Sequence, residues 1–152
     1  MREIPVRSHA VSVVALRRSA GESEVLLLRR NGSLRGEWCQ IAGSIEDGEA
    51  AWQTALRELQ EETGLVPQAL YSADICEQFY EADRDSISLL PVFVAVVAAD
   101  CAVTLNHEHS GFQWLGFDAA VALVPFSGQR HVLRHTEREF VLGMPRDHLR
   151  IR

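Results

Sequence analysis

Valine-rich His9–Leu16 and leucine-rich Glu24–Leu28 predict two extended segments, and Arg17–Ser23, which contains Gly21, predicts the turn that pairs them as a hairpin. Asn31-Gly32-Ser33 then opens a polar loop that ends near Trp38. A short extended piece, Cys39–Ala42, leads into a glycine-punctuated loop, Gly43–Gly48. The clearest helix follows. It starts near Asp47, a good N-cap type, carries Glu49 in its first turn and stops at Gly64. Two more extended segments, about Ala69–Tyr80 and Ser86–Ala98, flank the acidic turn Glu81–Asp85. A short strand at Phe112–Leu115 precedes a last helix over Ser127–Val141. Strands dominate, with one helix in the middle and one near the end, so the pattern predicts an α/β fold with a mixed sheet flanked by helices. No repeat, low-complexity tract or linker divides the chain, and one domain over residues 1–152 is expected.

On a wheel of about 100° per residue with Glu58 at zero, Glu61 falls near 300° and Glu62 near 40°. Trp52, Ala55, Leu56 and Leu59 fall between about 60° and 160°, so an apolar stripe runs beside an acidic one. Carboxylates at i, i+3 and i+4 repel, at roughly 0.2–0.5 kcal/mol per pair. Such a face is often plain solvated surface. It is also what a hard divalent cation needs, and a bound cation relieves the repulsion. Arg57 lies beside Glu61 on the wheel and has the fork geometry to hold a carboxylate; an ordinary surface ion pair is the other reading. Gly43, at the end of the preceding extended piece, would let the backbone approach a metal or phosphate.

Composition narrows the options. With 152 residues the chain can bury a core without staples, and 47% hydrophobic and 24% charged residues are ordinary for a globular protein. A formal charge of −6 argues against general nucleic-acid binding, but leaves room for an anionic substrate held through cations. Cys39, Cys76 and Cys101 are scattered and odd in number, as for reduced thiols rather than disulfides or a zinc site. The N-terminus does not read as a signal peptide, and the longest apolar run, Leu89–Ala99, is broken by Pro91 and too short to span a bilayer. A cytoplasmic protein without membrane contact is expected.

Gly43, Glu49, Arg57-Glu58-Leu59, Glu61-Glu62 and Gly64-Leu65 stand at the spacing of the Nudix box, and the chain therefore resembles the Nudix hydrolase family. Seven fixed identities have a chance occurrence on the order of 10⁻⁸ per window at average residue usage, which outweighs the solvated-face reading. The resemblance implies an α/β/α sandwich around a mixed β-sheet. It implies Mg²⁺, or alternatively Mn²⁺, held by Glu58, Glu61 and Glu62, with Arg57 orienting a glutamate and Glu49 holding the loop against the helix. It further implies hydrolysis of a phosphoanhydride bond in a nucleotide-like substrate.

Glu61 or Glu58 is the expected proton acceptor, with Glu108 in His107-Glu108-His109 as the candidate outside the box. The two histidines beside Glu108 read as incidental neighbours rather than as transition-metal ligands, because the sequence offers no third nitrogen or sulfur donor nearby, and His131 and His135 read as surface or edge positions on the last helix. Arg29 and Arg30, at the end of the second strand, are the candidates for substrate phosphates, with Gly43 beside them. Trp38, Phe79, Tyr80 and Phe126 are candidate stacking partners for a base, and core packing is the other reading of each.

Gly43-Ser44, where many members carry two glycines, together with Trp38-Cys39-Gln40, Glu108-His109 and Trp114-Leu115, resembles the dihydroneopterin triphosphate/dATP pyrophosphohydrolase subgroup. The expected reaction is release of pyrophosphate from a nucleoside or pterin triphosphate. The alternatives are a hydrolase of nucleoside diphosphates linked to a sugar or a second nucleoside, and a nucleotide-binding module without turnover. A small-molecule nucleotide or pterin phosphate is the expected partner, and the chain is expected to be a monomer or homodimer.

Overall fold

β2 (Ala10–Ser19) is buried over most of its length on both faces, as a strand must be when layers cover a sheet from either side. The computed structural model describes all of residues 1–152. Val11, Val13 and Ala15 of β2 join one apolar core, and Val14 and Leu16 join the other. The same period-two division runs through β3 (Glu22–Arg30), where Leu26 and Leu28 face the first core and Val25 and Leu27 the second.

Eight strands build the sheet. Besides β2 and β3 they are β1 (Val6–Arg7), β4 (Trp38–Cys39), β5 (Ile41–Ser44), β6 (Ala69–Glu81), β7 (Ser86–Val96) and β8 (His109–Leu115). β7 runs parallel to both β1 and β2, whereas β2–β3, β2–β5, β3–β4, β3–β8 and β6–β7 are antiparallel. Helix α1 (Ala51–Thr63) covers one face through Ala55 and Leu59. Helices α2 (Phe117–Leu123) and α3 (Ser127–Thr136) cover the other through Phe117, Ala120, Val132 and Leu133. This is the α/β/α sandwich with a mixed sheet that the sequence implied.

Several boundaries differ from the sequence expectation. α1 begins at Ala51 rather than near Asp47: Gly48 takes a left-handed φ of 79° that interrupts a helix, and the Gln53 side chain caps the Ala50 N–H at 2.8 Å. Its end is as expected, with Gly64 left-handed at φ 73° and its N–H bonded to the Gln60 carbonyl. The last helix stops its regular α geometry at Thr136 and continues as a π-type turn, Glu137–Leu142. α2 and β1 were not anticipated. No helix is long and apolar enough to cross a membrane.

Candidate active site

The α1 carboxylates divide between two environments. Arg57 makes a two-pronged contact with Glu49, Nε to Oε2 at 2.8 Å and Nη2 to Oε1 at 2.9 Å. Its Nη1 reaches Glu58 Oε1 at 2.9 Å and Glu61 Oε2 at 3.2 Å, and Nη2 also donates to the Ser44 carbonyl at 2.9 Å. One guanidinium thus ties the loop before α1 to the helix and gathers Glu58 and Glu61. Glu49 also accepts from Thr54 Oγ1 at 2.6 Å. These bonds, those of Arg57 first, hold its carboxyl down at about 2. Arg57 is in turn held protonated, chiefly by Glu49.

Glu58 lies against Gly43. A Cβ at that position would run into the Glu58 carboxylate, so the glycine on β5 makes room for the side chain. Desolvation raises the Glu58 carboxyl, Arg57 opposes the rise, and the charges of Glu61 and Glu108 add to it. Glu61 has a side chain 54% exposed and points outward.

Glu62 is different: it is 3% exposed, and its Oε2 has no hydrogen-bond partner. Burial first, then the charges of Glu58 and Glu108, push its carboxyl up to about 9. It opens onto a cleft of about 430 Å³ together with Arg30, Gln40, His107, Glu108 and His109. One ligand atom each from Glu62, Glu108 and His109 lies within 4.8 Å of the others. Glu58 and Glu108 both lie close enough to Glu62 to perturb it, while Glu58 and Glu61 share Arg57 Nη1.

The loop that carries Glu108 is tied down by Asn31. Its backbone N–H donates to the Glu108 carbonyl at 3.0 Å, and its Nδ2 donates to the His107 carbonyl at 3.2 Å. Of the two arginines ending β3, Arg30 lines the cleft and Arg29 does not, which follows from strand alternation. Arg30 donates Nε to the Ser33 carbonyl and Nη2 to Ser33 Oγ, each at 2.8 Å, which leaves Nη1 free of these contacts. Burial lowers His109 and raises the Cys39 thiol to about 11.

Asn31, Gln40 and Cys39 were not singled out from the sequence as cleft residues. Gln40 is 3% exposed and both its amide atoms lack partners, which no periodicity could reveal. Phe79 and Phe126 are exposed at 40% and 52%. Phe126 is two residues from Gly128, which packs on the Gln78 carbonyl of β6. Tyr80 is exposed at 57% and donates its hydroxyl to Asp85. His135 lies at the edge of α3 against the Ala73 carbonyl, and His131 is exposed.

The family model for the NUDIX domain matches residues 6–136. An octanoyltransferase from Myxococcus xanthus is 33% identical over 135 residues, 87% of this chain, which spans only 37% of that protein's length. An asymmetrical bis(5′-nucleosyl)-tetraphosphatase from Sus scrofa is 34% identical over 116 residues, covering 73% of this chain and 76% of the relative. The crystal structure of a C. elegans Ap4A hydrolase binary complex superposes with a TM-score of 0.75 at 25% identity, over 86% of this chain and 96% of that one.

Proposed function

The chain belongs to the Nudix family of hydrolases acting on nucleotide phosphoanhydrides, and from that premise we propose that it cleaves a dinucleoside polyphosphate, using a divalent cation held at Glu62. The observation that carries the cation site is the unpartnered Oε2 of a carboxylate that is 3% exposed, facing Glu108 across the cleft. A buried, unsatisfied carboxylate is costly unless a cation or proton meets it, so the residues present fit an ion such as Mg²⁺. Such an ion, when bound, neutralises phosphate oxygens and makes its bound water more acidic.

The chain's own residues supply the rest. Arg30, at the cleft wall, is placed to meet a substrate phosphate, and Asn31 fixes the loop that presents Glu108. Glu58 is placed to accept a proton from the attacking water: its carboxyl is raised toward the working range, and Arg57 holds one of its oxygens while leaving the second unengaged. Arg57, anchored by Glu49, positions Glu58 and Glu61 and does not itself touch substrate. Phe79 and Phe126 are exposed aromatic faces, but neither lines the cleft that holds Glu62.

The tetraphosphatase relative and the Ap4A hydrolase structure favour the dinucleoside substrate. The Gly43-Ser44 and Trp38-Cys39-Gln40 segments favour the triphosphate reading, in which pyrophosphate is released from a nucleoside or pterin triphosphate. Product analysis separates the two. Diadenosine tetraphosphate, dATP and dihydroneopterin triphosphate are each supplied with Mg²⁺. Two adenine nucleotides from the first, with the triphosphates turned over at least about a hundredfold less efficiently, support the proposal; this gap exceeds what one missing hydrophobic contact gives. Preferential release of pyrophosphate from either triphosphate establishes the second reading in its place.

A further inference from the structure

β8 begins at His109, which pairs with Arg30 of β3, and this register brings the imidazole to the end of α1 beside Glu62. Two buried atoms there lack a hydrogen-bond partner: Oε2 of Glu62 and Nδ1 of His109. The other ring nitrogen, Nε2, has only a 3.9 Å contact with Cys39 Sγ, and that thiol lies 3.5 Å from the Leu28 carbonyl, to which it donates. The imidazole therefore keeps a lone pair that no strong protein hydrogen bond claims. One of its nitrogens lies within 4.8 Å of a carboxylate oxygen from Glu62 and another from Glu108.

From this geometry we infer that Glu62, Glu108 and His109 form a mixed carboxylate–imidazole site that takes a first-row transition dication, Mn²⁺ in preference to Mg²⁺. The inference rests on the cation dependence proposed above and deepens it by naming the nitrogen ligand and the class of ion. Mg²⁺ is a hard ion that demands oxygen donors and keeps most of its waters. An imidazole suits the borderline ions of the first transition row, and two carboxylates with one histidine leave coordination positions open for water and a substrate phosphate. A histidine that only fills space beside Cys39 would contribute neither a nitrogen ligand nor a metal preference.

The test is pulsed electron paramagnetic resonance of Mn²⁺ bound to the full chain. Nitrogen-14 modulation is expected in the wild type, replaced by the nitrogen-15 pattern when the protein carries ¹⁵N-labelled histidine. This comparison needs no substitution and so cannot be confused with misfolding. His109→Gln is expected to remove the modulation and to reduce the Mn²⁺-over-Mg²⁺ binding ratio at least about tenfold, the loss that even an outer-shell partner of a ligand produces. His107→Gln is expected to retain both. Mn²⁺ bound in a Glu62-dependent manner without nitrogen coupling overturns the inference and leaves the cation site standing, as does coupling lost in His107→Gln but kept in His109→Gln. No Mn²⁺ binding at all overturns both.

Discussion

Gly43→Ala tests how closely β5 and α1 fit. Gly43 does not have a positive φ, so its backbone accepts a side chain and the effect arises from contact alone. The new Cβ would collide with the Glu58 carboxylate. Glu58 has little freedom to move aside: its side chain is 12% exposed and Arg57 holds Oε1 at 2.9 Å. Overpacking of this kind costs about 1–3 kcal/mol. In a chain of this size that lowers the melting temperature by roughly 2–4 °C per kcal/mol, a fall of several degrees by scanning calorimetry. Displacing Glu58, the proposed proton acceptor, by about 1 Å should also cut turnover on the order of a hundredfold. Placing the alanine in a Glu58→Ala background removes the collision, so the thermal cost should shrink there by more than about 0.5 kcal/mol, beyond the scatter of independent sites. An alanine that costs the same in both backgrounds, or that costs nothing in either, refutes the contact.

Three other outcomes follow from the site. The folded-state pKa of Glu62, near 9 against an ordinary 4.5, means that the folded metal-free protein keeps its proton while the unfolded chain loses it. Stability of the metal-free protein should therefore fall as pH rises between these values, and Glu62→Gln should flatten that slope when melting temperature is measured across pH 5–9; an unchanged slope contradicts the burial argument. Arg57→Lys keeps the charge but loses the fork on Glu49, and should lower stability by about 1–3 kcal/mol and reduce kcat more than it changes KM; wild-type values in both chemical denaturation and steady-state kinetics would show that the fork is dispensable. Arg30→Ala should raise KM at least about tenfold more than Arg29→Ala does, since only Arg30 lines the cleft; equal effects would contradict the alternation assigned to β3.

Much of this arrangement was legible because it is written in short-range spacing. The period-two runs of β2 and β3 and the left-handed Gly64 located two strands and the end of the helix, and the box residues located Arg57 and its carboxylates. The helix start was misplaced because Asp47 has cap chemistry, whereas Gly48 and the Gln53 side chain decide where helical geometry begins. α2, an alanine-rich helix of only seven residues after Gly116, is too short for a periodic signal. The wheel put three glutamates on one face, but a wheel cannot say which of them the sheet will bury. That depended on the β3–β8 register, which brings Glu108 and His109 to Glu62 across a long sequence separation. His109 read as an incidental neighbour of Glu108 for the same reason, and Gln40, between the short strands β4 and β5, carries no periodic signal of its burial.

Diadenosine tetraphosphate supplied with Mg²⁺ in ¹⁸O-labelled water, with the products resolved by mass spectrometry, tests the cation-dependent hydrolysis most directly. ATP and AMP bearing a single heavy oxygen between them, formed only with the cation present and suppressed at least about a hundredfold in a folded Glu62→Gln protein, is the predicted result. Turnover that survives chelation of all divalent ions, or that Glu62→Gln leaves at the wild-type rate, would contradict the account.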